Sequence, residues 1–91
     1  MHTIKKGTNK FYIGETEERS KAEITFNEQD GSVIVIDHTY VADDLRGQGV
    51  AGELVDRVVS YAREHGKKIN PECSYAKSKM EKTSTYRDVL V

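Results

Sequence analysis

Leu45-Arg46-Gly47-Gln48-Gly49-Val50-Ala51-Gly52 decides how this chain folds. Ahead of it stands the most β-branched run in the sequence, Val33-Ile34-Val35-Ile36, which continues through Asp37-His38-Thr39-Tyr40-Val41. Behind it a helical pattern begins at Val50. A strand that empties into a glycine-rich turn opening a helix is suited to holding phosphate. Glycine lets backbone N–H groups approach an anion without an intervening Cβ. The first-turn amides of the helix have no intrahelical partner, and they carry the positive end of the helix dipole. The bend is therefore expected to hold a pyrophosphate through the amides of Gly47, Gln48, Gly49, Val50, Ala51 and Gly52, with Arg46 assisting. A ligand-free strand-to-helix turn would use the same glycines for packing alone.

Two signatures overlap in these residues. Gly47-Gln48-Gly49-Val50-Ala51-Gly52 satisfies the dinucleotide fingerprint G-x-G-x-x-G, which needs a βαβ unit within a parallel sheet. The chain has 91 residues and approaches the bend through antiparallel hairpins, a setting that disfavours that reading. The same residues read as Arg46-x-x-Gly49-x-Ala51 after a long strand ending in Val41. This resembles the acyl-CoA pyrophosphate motif, Q/R-x-x-G-x-G/A, of the GNAT superfamily of N-acetyltransferases, in particular its very small single-domain members. The resemblance covers roughly residues 20 to 80.

Length and charge narrow the possibilities. Residues 1–91 have room for one domain with one modest core. Fourteen Lys and Arg stand against 15 Asp and Glu, a net charge of −1, so no general attraction to nucleic acid or an anionic membrane is expected. No apolar run approaches the length of a membrane span, and Met1-His2-Thr3-Ile4-Lys5-Lys6 lacks the apolar segment of a signal peptide. With a single cysteine, Cys73, the expectation is a cytoplasmic protein. There is no H-x-x-x-H, no C-x-x-C and no carboxylate cluster at metal spacing, so no metal site is expected.

The remaining elements follow from local patterning. Residues 1 to 10 are polar, and their order depends on what they touch. Phe11 to Gly14 reads as a short first strand, and Glu15 to Ser20 as a solvated connection. Lys21 to Glu28 alternates, placing Ala22, Ile24 and Phe26 on one face of a half-buried strand. Gln29-Asp30-Gly31 supplies a hairpin turn through the ease with which Asp-Gly takes up positive φ. The strand from Ser32 to Val41 then returns antiparallel, its first half buried on both faces and its second half carrying hydrogen-bonding groups beside the bend. Ala42-Asp43-Asp44 follows as a loop.

Between Val50 and His65 a 3.6-residue stripe of Val50, Ala51, Leu54, Val55, Val58, Tyr61 and Ala62 predicts an amphipathic helix capped by Gly66. Lys67 to Pro71 is a brief strand, expected parallel to the long one through a right-handed β-α-β crossover. Tyr75 to about Tyr86 reads as a second helix with Ala76 and Met80 inward. The tail from Tyr86 to Val91 either packs its apolar residues or frays. The expected architecture is α/β: a mostly antiparallel sheet of about four strands, one crossover and two helices, equivalent to the central part of a GNAT fold. It lacks the helices after the first strand and the last strands of larger members, which places acceptor recognition in question more than cofactor binding.

The resemblance implies acetyl-CoA as co-substrate and an unidentified small or protein amine as acceptor. In the family the long strand splays from its neighbour, so Thr39, Tyr40 and Val41 are expected to wall the pantetheine arm. Acetyl transfer to an amine needs a polarised thioester carbonyl, a deprotonated nucleophile and a proton for the departing thiolate. His38 and Asp37 are the nearest candidate bases, expected on opposite faces of the strand, so that at most one faces the acetyl group. Many relatives carry N-x-x-A-x-x-x-Y, whose tyrosine protonates the thiolate. Here the run is Cys73-Ser74-Tyr75-Ala76-Lys77-Ser78-Lys79-Met80, with cysteine for asparagine and methionine for tyrosine. A thioether has no proton to give. Tyr75 is the candidate replacement acid if its hydroxyl turns inward. Cys73, at a helix start that lowers a thiol pKa, is a candidate nucleophile, or else a small residue filling space beside the pantetheine. Lys77, Lys79 and Lys82 are either a solvated face or company for the adenosine 3′-phosphate. A non-catalytic acetyl-CoA-binding sensor or carrier remains the alternative to an enzyme.

Overall fold

The computed structural model describes residues 3–91; the expectation for Met1 and His2 lies outside the described residues. Five strands form one sheet in the order β1-β2-β3-β4-β5: β1 (Lys5–Gly7), β2 (Lys10–Gly14), β3 (Ser20–Glu28), β4 (Val33–Val41) and β5 (Lys68–Pro71). Neighbours pair antiparallel up to β4, and only β4 and β5 run parallel. The connection between those two is α1 (Val50–Glu64), and α2 (Ser74–Lys82) follows β5. A sheet with one parallel pair is not the doubly wound parallel sheet that the dinucleotide fingerprint requires. The architecture is the expected mostly antiparallel α/β arrangement with one strand more than expected. The extra strand is β1, whose residues Lys5-Lys6-Gly7 have no alternation to announce them. Pairing with β2 across a two-residue loop holds it, with Asn9 at φ 58°.

Both helices contribute to one apolar cluster on one side of the sheet. Ala22, Ile24 and Phe26 of β3 and Ile34 and Ile36 of β4 meet Val50, Leu54, Val55, Val58, Val59 and Ala62 of α1, with Ala76 and Met80 of α2. The stripe on α1 thus includes Val59 and leaves Ala51 and Tyr61 half-buried. The other face of the sheet has no covering layer among the described elements, so Val33 and Val35 are only half-buried and β4 alternates along its first half. That corrects the expectation of burial on both faces. Helix α1 ends as expected around Gly66, at φ +64°, with Lys67 N–H donating to Ala62 C=O at 2.8 Å and Gly66 N–H to Arg63 C=O at 3.4 Å. The tail packs: Tyr86 and Val89 are buried, and Ile69 bridges Leu90 beyond β5.

Two local features differ from the sequence expectation. Gly31 does not take a positive φ. The β3–β4 turn is held instead by the Asp30 carboxylate, which accepts from Ser32 N–H at 2.7 Å and Val33 N–H at 3.1 Å. In β4 the register shifts opposite Thr25, which pairs with His38 while Phe26 pairs with Ile36, so Asp37 is the extra residue of a β-bulge. The bulge cancels the strict alternation and turns Asp37 to the open face beside His38. There its carboxylate accepts from Thr25 Oγ1 and, at 2.8 Å, from Asn27 Nδ2.

Candidate functional site

The end of β4, the bend after it and the start of α2 meet at one opening. Pairing of β4 with β5 stops at Ile36 and Pro71, where the Ile36 carbonyl accepts from both Glu72 N–H (2.9 Å) and Cys73 N–H (3.0 Å). Beyond that point the chain leaves the sheet into α2, and Asp37 to Val41 keep a strand partner on the β3 side only. Alternation of an antiparallel ladder turns the N–H and C=O of Tyr40 towards β3 and those of Thr39 and Val41 into the gap. Consistent with this, Ala42 N–H bonds back to Lys21 C=O at 2.7 Å, and Arg46 Nε reaches Val41 C=O at 3.3 Å.

The bend itself needs its glycines. Gly47 lies at φ +80° and Gly49 at φ +76°, and nothing stands within 4 Å of a Cβ added at either, so conformation and not crowding selects glycine there. Gly49 caps α1 without a side chain, leaving the first-turn amides open to an outside acceptor. Arg46 is exposed and pairs with Asp43 at 3.4 Å, while Gln48 Nε2 donates to Asp44 C=O at 3.0 Å. A cavity of about 240 Å³ is lined by Val41, Leu45, Arg46, Gly47, Gly49, Val50, Ala51, Gly52 and Tyr75. The unpaired strand edge, the open bend and this cavity fit a ligand that has an amide-bearing arm and a diphosphate.

Cys73 precedes the first residue of α2, and its sulfur lies in the gap. The thiol donates to Thr39 Oγ1 at 3.3 Å. Burial pushes the thiol up, but the Thr39 hydroxyl and the amides of Ala76, Tyr75 and Thr39 outweigh it, and the net direction is below the ordinary thiol value. Thr39 occupies the register position of buried Ile24, on the helix side, whereas His38 pairs with Thr25 on the open face. The structure therefore does not bring His38 and Cys73 to one side of the sheet. Tyr40 is likewise on the open face, opposite Glu23 and 43% exposed. The Tyr75 hydroxyl points over Gly52, 3.9 Å from where a Cβ would be, on the wall of the cavity below the bend. Burial and the Asp56 carboxylate raise its pKa, so it keeps its proton through the neutral range. Asp56, which accepts from Tyr86 Oη, and Lys79, which also overlies Gly52, were not singled out for this place by sequence. Their signal was present as the i,i+4 pairs Gly52/Asp56 and Tyr75/Lys79, which put each pair on one helix face. Among the described residues, no group of three or more His, Cys, Asp or Glu is arranged to hold a metal ion. No helix among them is long and apolar enough to cross a membrane.

A sheet whose strand β4 parts from its parallel neighbour β5 beside a glycine bend and an uncapped helix start defines a known class. The chain belongs to the GCN5-related N-acetyl-transferase family, whose model matches residues 10–89. It is similar to a GCN5-like protein of Staphylococcus aureus, described as a candidate N-acetyltransferase, with 49% identity and a TM-score of 0.84 over 98% of this chain and 87% of that one. The fold is shared with a GNAT family N-acetyltransferase (YhbS) from Escherichia coli in complex with CoA, at 19% identity and TM-score 0.58. That likeness spans 68% of this chain and 38% of the other. It is shared too with a GNAT family acetyltransferase from Elizabethkingia anophelis with acetyl-CoA bound, at 17% identity and TM-score 0.56 over 68% and 40%. Among curated protein sequences no match was found.

Proposed function

We propose that this protein is an acetyl-CoA-dependent acetyltransferase acting on an amine, with Cys73 as the residue that first receives the acetyl group. The observation that carries this reading is the Cys73 sulfur in the gap between β4 and β5, 3.3 Å from Thr39 Oγ1, with its thiol value held below the ordinary range. The phosphates lie on the amides of Gly47, Gln48, Gly49, Val50, Ala51 and Gly52 with Arg46 beside them. The pantetheine arm runs along Thr39, Tyr40 and Val41, bonding to the N–H and C=O groups of Thr39 and Val41 as an added strand would.

In the first half-reaction the Cys73 thiolate attacks the thioester carbonyl. A Cys73–acetyl bond forms, the bond to the CoA sulfur breaks, and the proton lost by Cys73 ends on the CoA thiol. In the second, a neutral amine attacks acetyl-Cys73, an amide forms, and the amine proton returns to the Cys73 sulfur. Because thiol is exchanged for thiol in the first step, a strong general acid is not needed. That is compatible with Met80 standing where relatives carry a tyrosine. His38, on the face of the sheet opposite Cys73, takes no part in either half-reaction.

Mass spectrometry of the intact protein after mixing with acetyl-CoA tests the reading. The expected result is one added acetyl group mapped to Cys73, its transfer to a member of an amine panel, and CoA thiol released in equal amount. Thiol release that persists in Cys73→Ala would overturn the role of Cys73. Binding of acetyl-CoA without acetylation or release under any amine would leave a binding module instead.

A further inference from the structure

Lys79 is a cation without a counter-ion at the place where a cation is least favoured. It lies one turn after Tyr75 on α2, is half-buried, and has no carboxylate partner among the described residues. A Cβ built on Gly52 would sit 3.5 Å from Lys79 Nζ and 3.6 Å from Cε, so the ammonium rests across the first turn of α1. That turn is the positive end of a fifteen-residue helix with no side-chain cap. Arg46, which lines the cavity that Gly52 also lines, adds a second positive charge, and its carboxylate partner is the exposed Asp43. A half-buried ammonium over an uncapped helix start, with a guanidinium lining the adjoining cavity, favours an anion at that place over a further cation. Gly52 has no side chain to hold Lys79 away, so the ammonium lies beside Gly52 and the Tyr75 hydroxyl, both of which line that cavity.

We propose that Lys79 binds the diphosphate of the acyl-CoA, closing from α2 the grip that the bend makes from α1. This rests on the acetyl-CoA reading given above and adds to it a side-chain ligand from a second element. Diphosphate is chosen over the 3′-phosphate because Lys79 overlies Gly52, in the first turn of α1 next to the bend, whereas Lys77 and Lys82 are exposed. Together with the Tyr75 hydroxyl, which keeps its proton, Lys79 makes α2 the lid of the phosphate site.

Calorimetric titration of the wild type, Lys79→Ala and Lys79→Arg with CoA, with CoA lacking the 3′-phosphate, and with acetyl-pantetheine tests this. Lys79→Ala should weaken CoA and 3′-dephospho-CoA by the same factor, about ten- to a hundredfold, and leave acetyl-pantetheine unchanged, with most of the loss restored by Lys79→Arg. A loss confined to CoA would assign Lys79 to the 3′-phosphate and overturn the proposal. So would a change within twofold for both CoA forms while the wild type binds them. Failure of the wild type to bind any of the three would instead remove the acetyl-CoA reading beneath it.

Discussion

Thr39 and Cys73 are joined by one weak hydrogen bond, yet that pair sets the reactivity of the only thiol in the chain. Burial works against the thiolate, and four donors from two elements work for it: the Thr39 hydroxyl and the amides of Ala76, Tyr75 and Thr39. The sign follows directly. A thiol held below its ordinary value is ionised at lower pH, so iodoacetamide should label Cys73 with a midpoint under the free-cysteine value of about 8.5. Thr39→Val removes one donor and should move that midpoint up. A midpoint at or above the free value in the wild type contradicts the geometry. The two glycines of the bend and the one inside α1 separate on different grounds. Gly49→Ala places a Cβ at φ +76° with no clash, so it should cost about 1–2 kcal/mol of stability from backbone strain alone. Gly52→Ala is in helical conformation and meets only ordinary contacts. It should stabilise by up to about 1 kcal/mol in urea denaturation while weakening acetyl-CoA binding, because its methyl enters the cavity proposed to take the phosphates.

At the scale of elements, the β2–β3 pair carries a pH dependence of its own. Burial raises the Glu23 carboxyl, but the Ser20 hydroxyl and the Lys10 ammonium, at 2.8 and 3.0 Å, bring it below its ordinary value, with Lys10 and His38 adding charge attraction. A depressed carboxylate contributes stability that is present above the unfolded value and lost as pH falls through the folded one. Urea midpoints at neutral pH and well below about pH 4 should therefore differ more in the wild type than in Glu23→Gln; equal differences would show that the pair contributes nothing. Elements defined by their own patterning were legible in the sequence: the alternation of β3, the stripe of α1 with its Gly66 terminus, and the inward Ala76 and Met80 of α2. Features defined by pairing were not. β1 exists because β2 offers it an edge, and the bulge at Asp37 depends on the register between two strands, which no single strand encodes. The bulge then decided which candidate bases share a face.

For the whole molecule, the two sides of the one sheet differ in what they carry. The helix side holds the core and, at its edge, the bend, the gap and Cys73. The open face carries Asp37, His38 and Tyr40 without a covering layer among the described elements. In the candidate site, the glycine bend between β4 and α1 was legible as a bend because glycine spacing after a strand has a local physical meaning. Contacts such as Thr39 with Cys73 and Lys79 with Gly52 join residues 34 and 27 positions apart, and only the closed fold brings them together. The central claim is that main-chain amides of the bend hold the diphosphate of acetyl-CoA. An NMR titration that follows backbone amides tests it most directly. The account predicts the largest saturable shifts at Gly47 to Gly52, with smaller ones at Thr39 and Val41. Saturating acetyl-CoA that leaves Gly47 to Gly52 unmoved would contradict it.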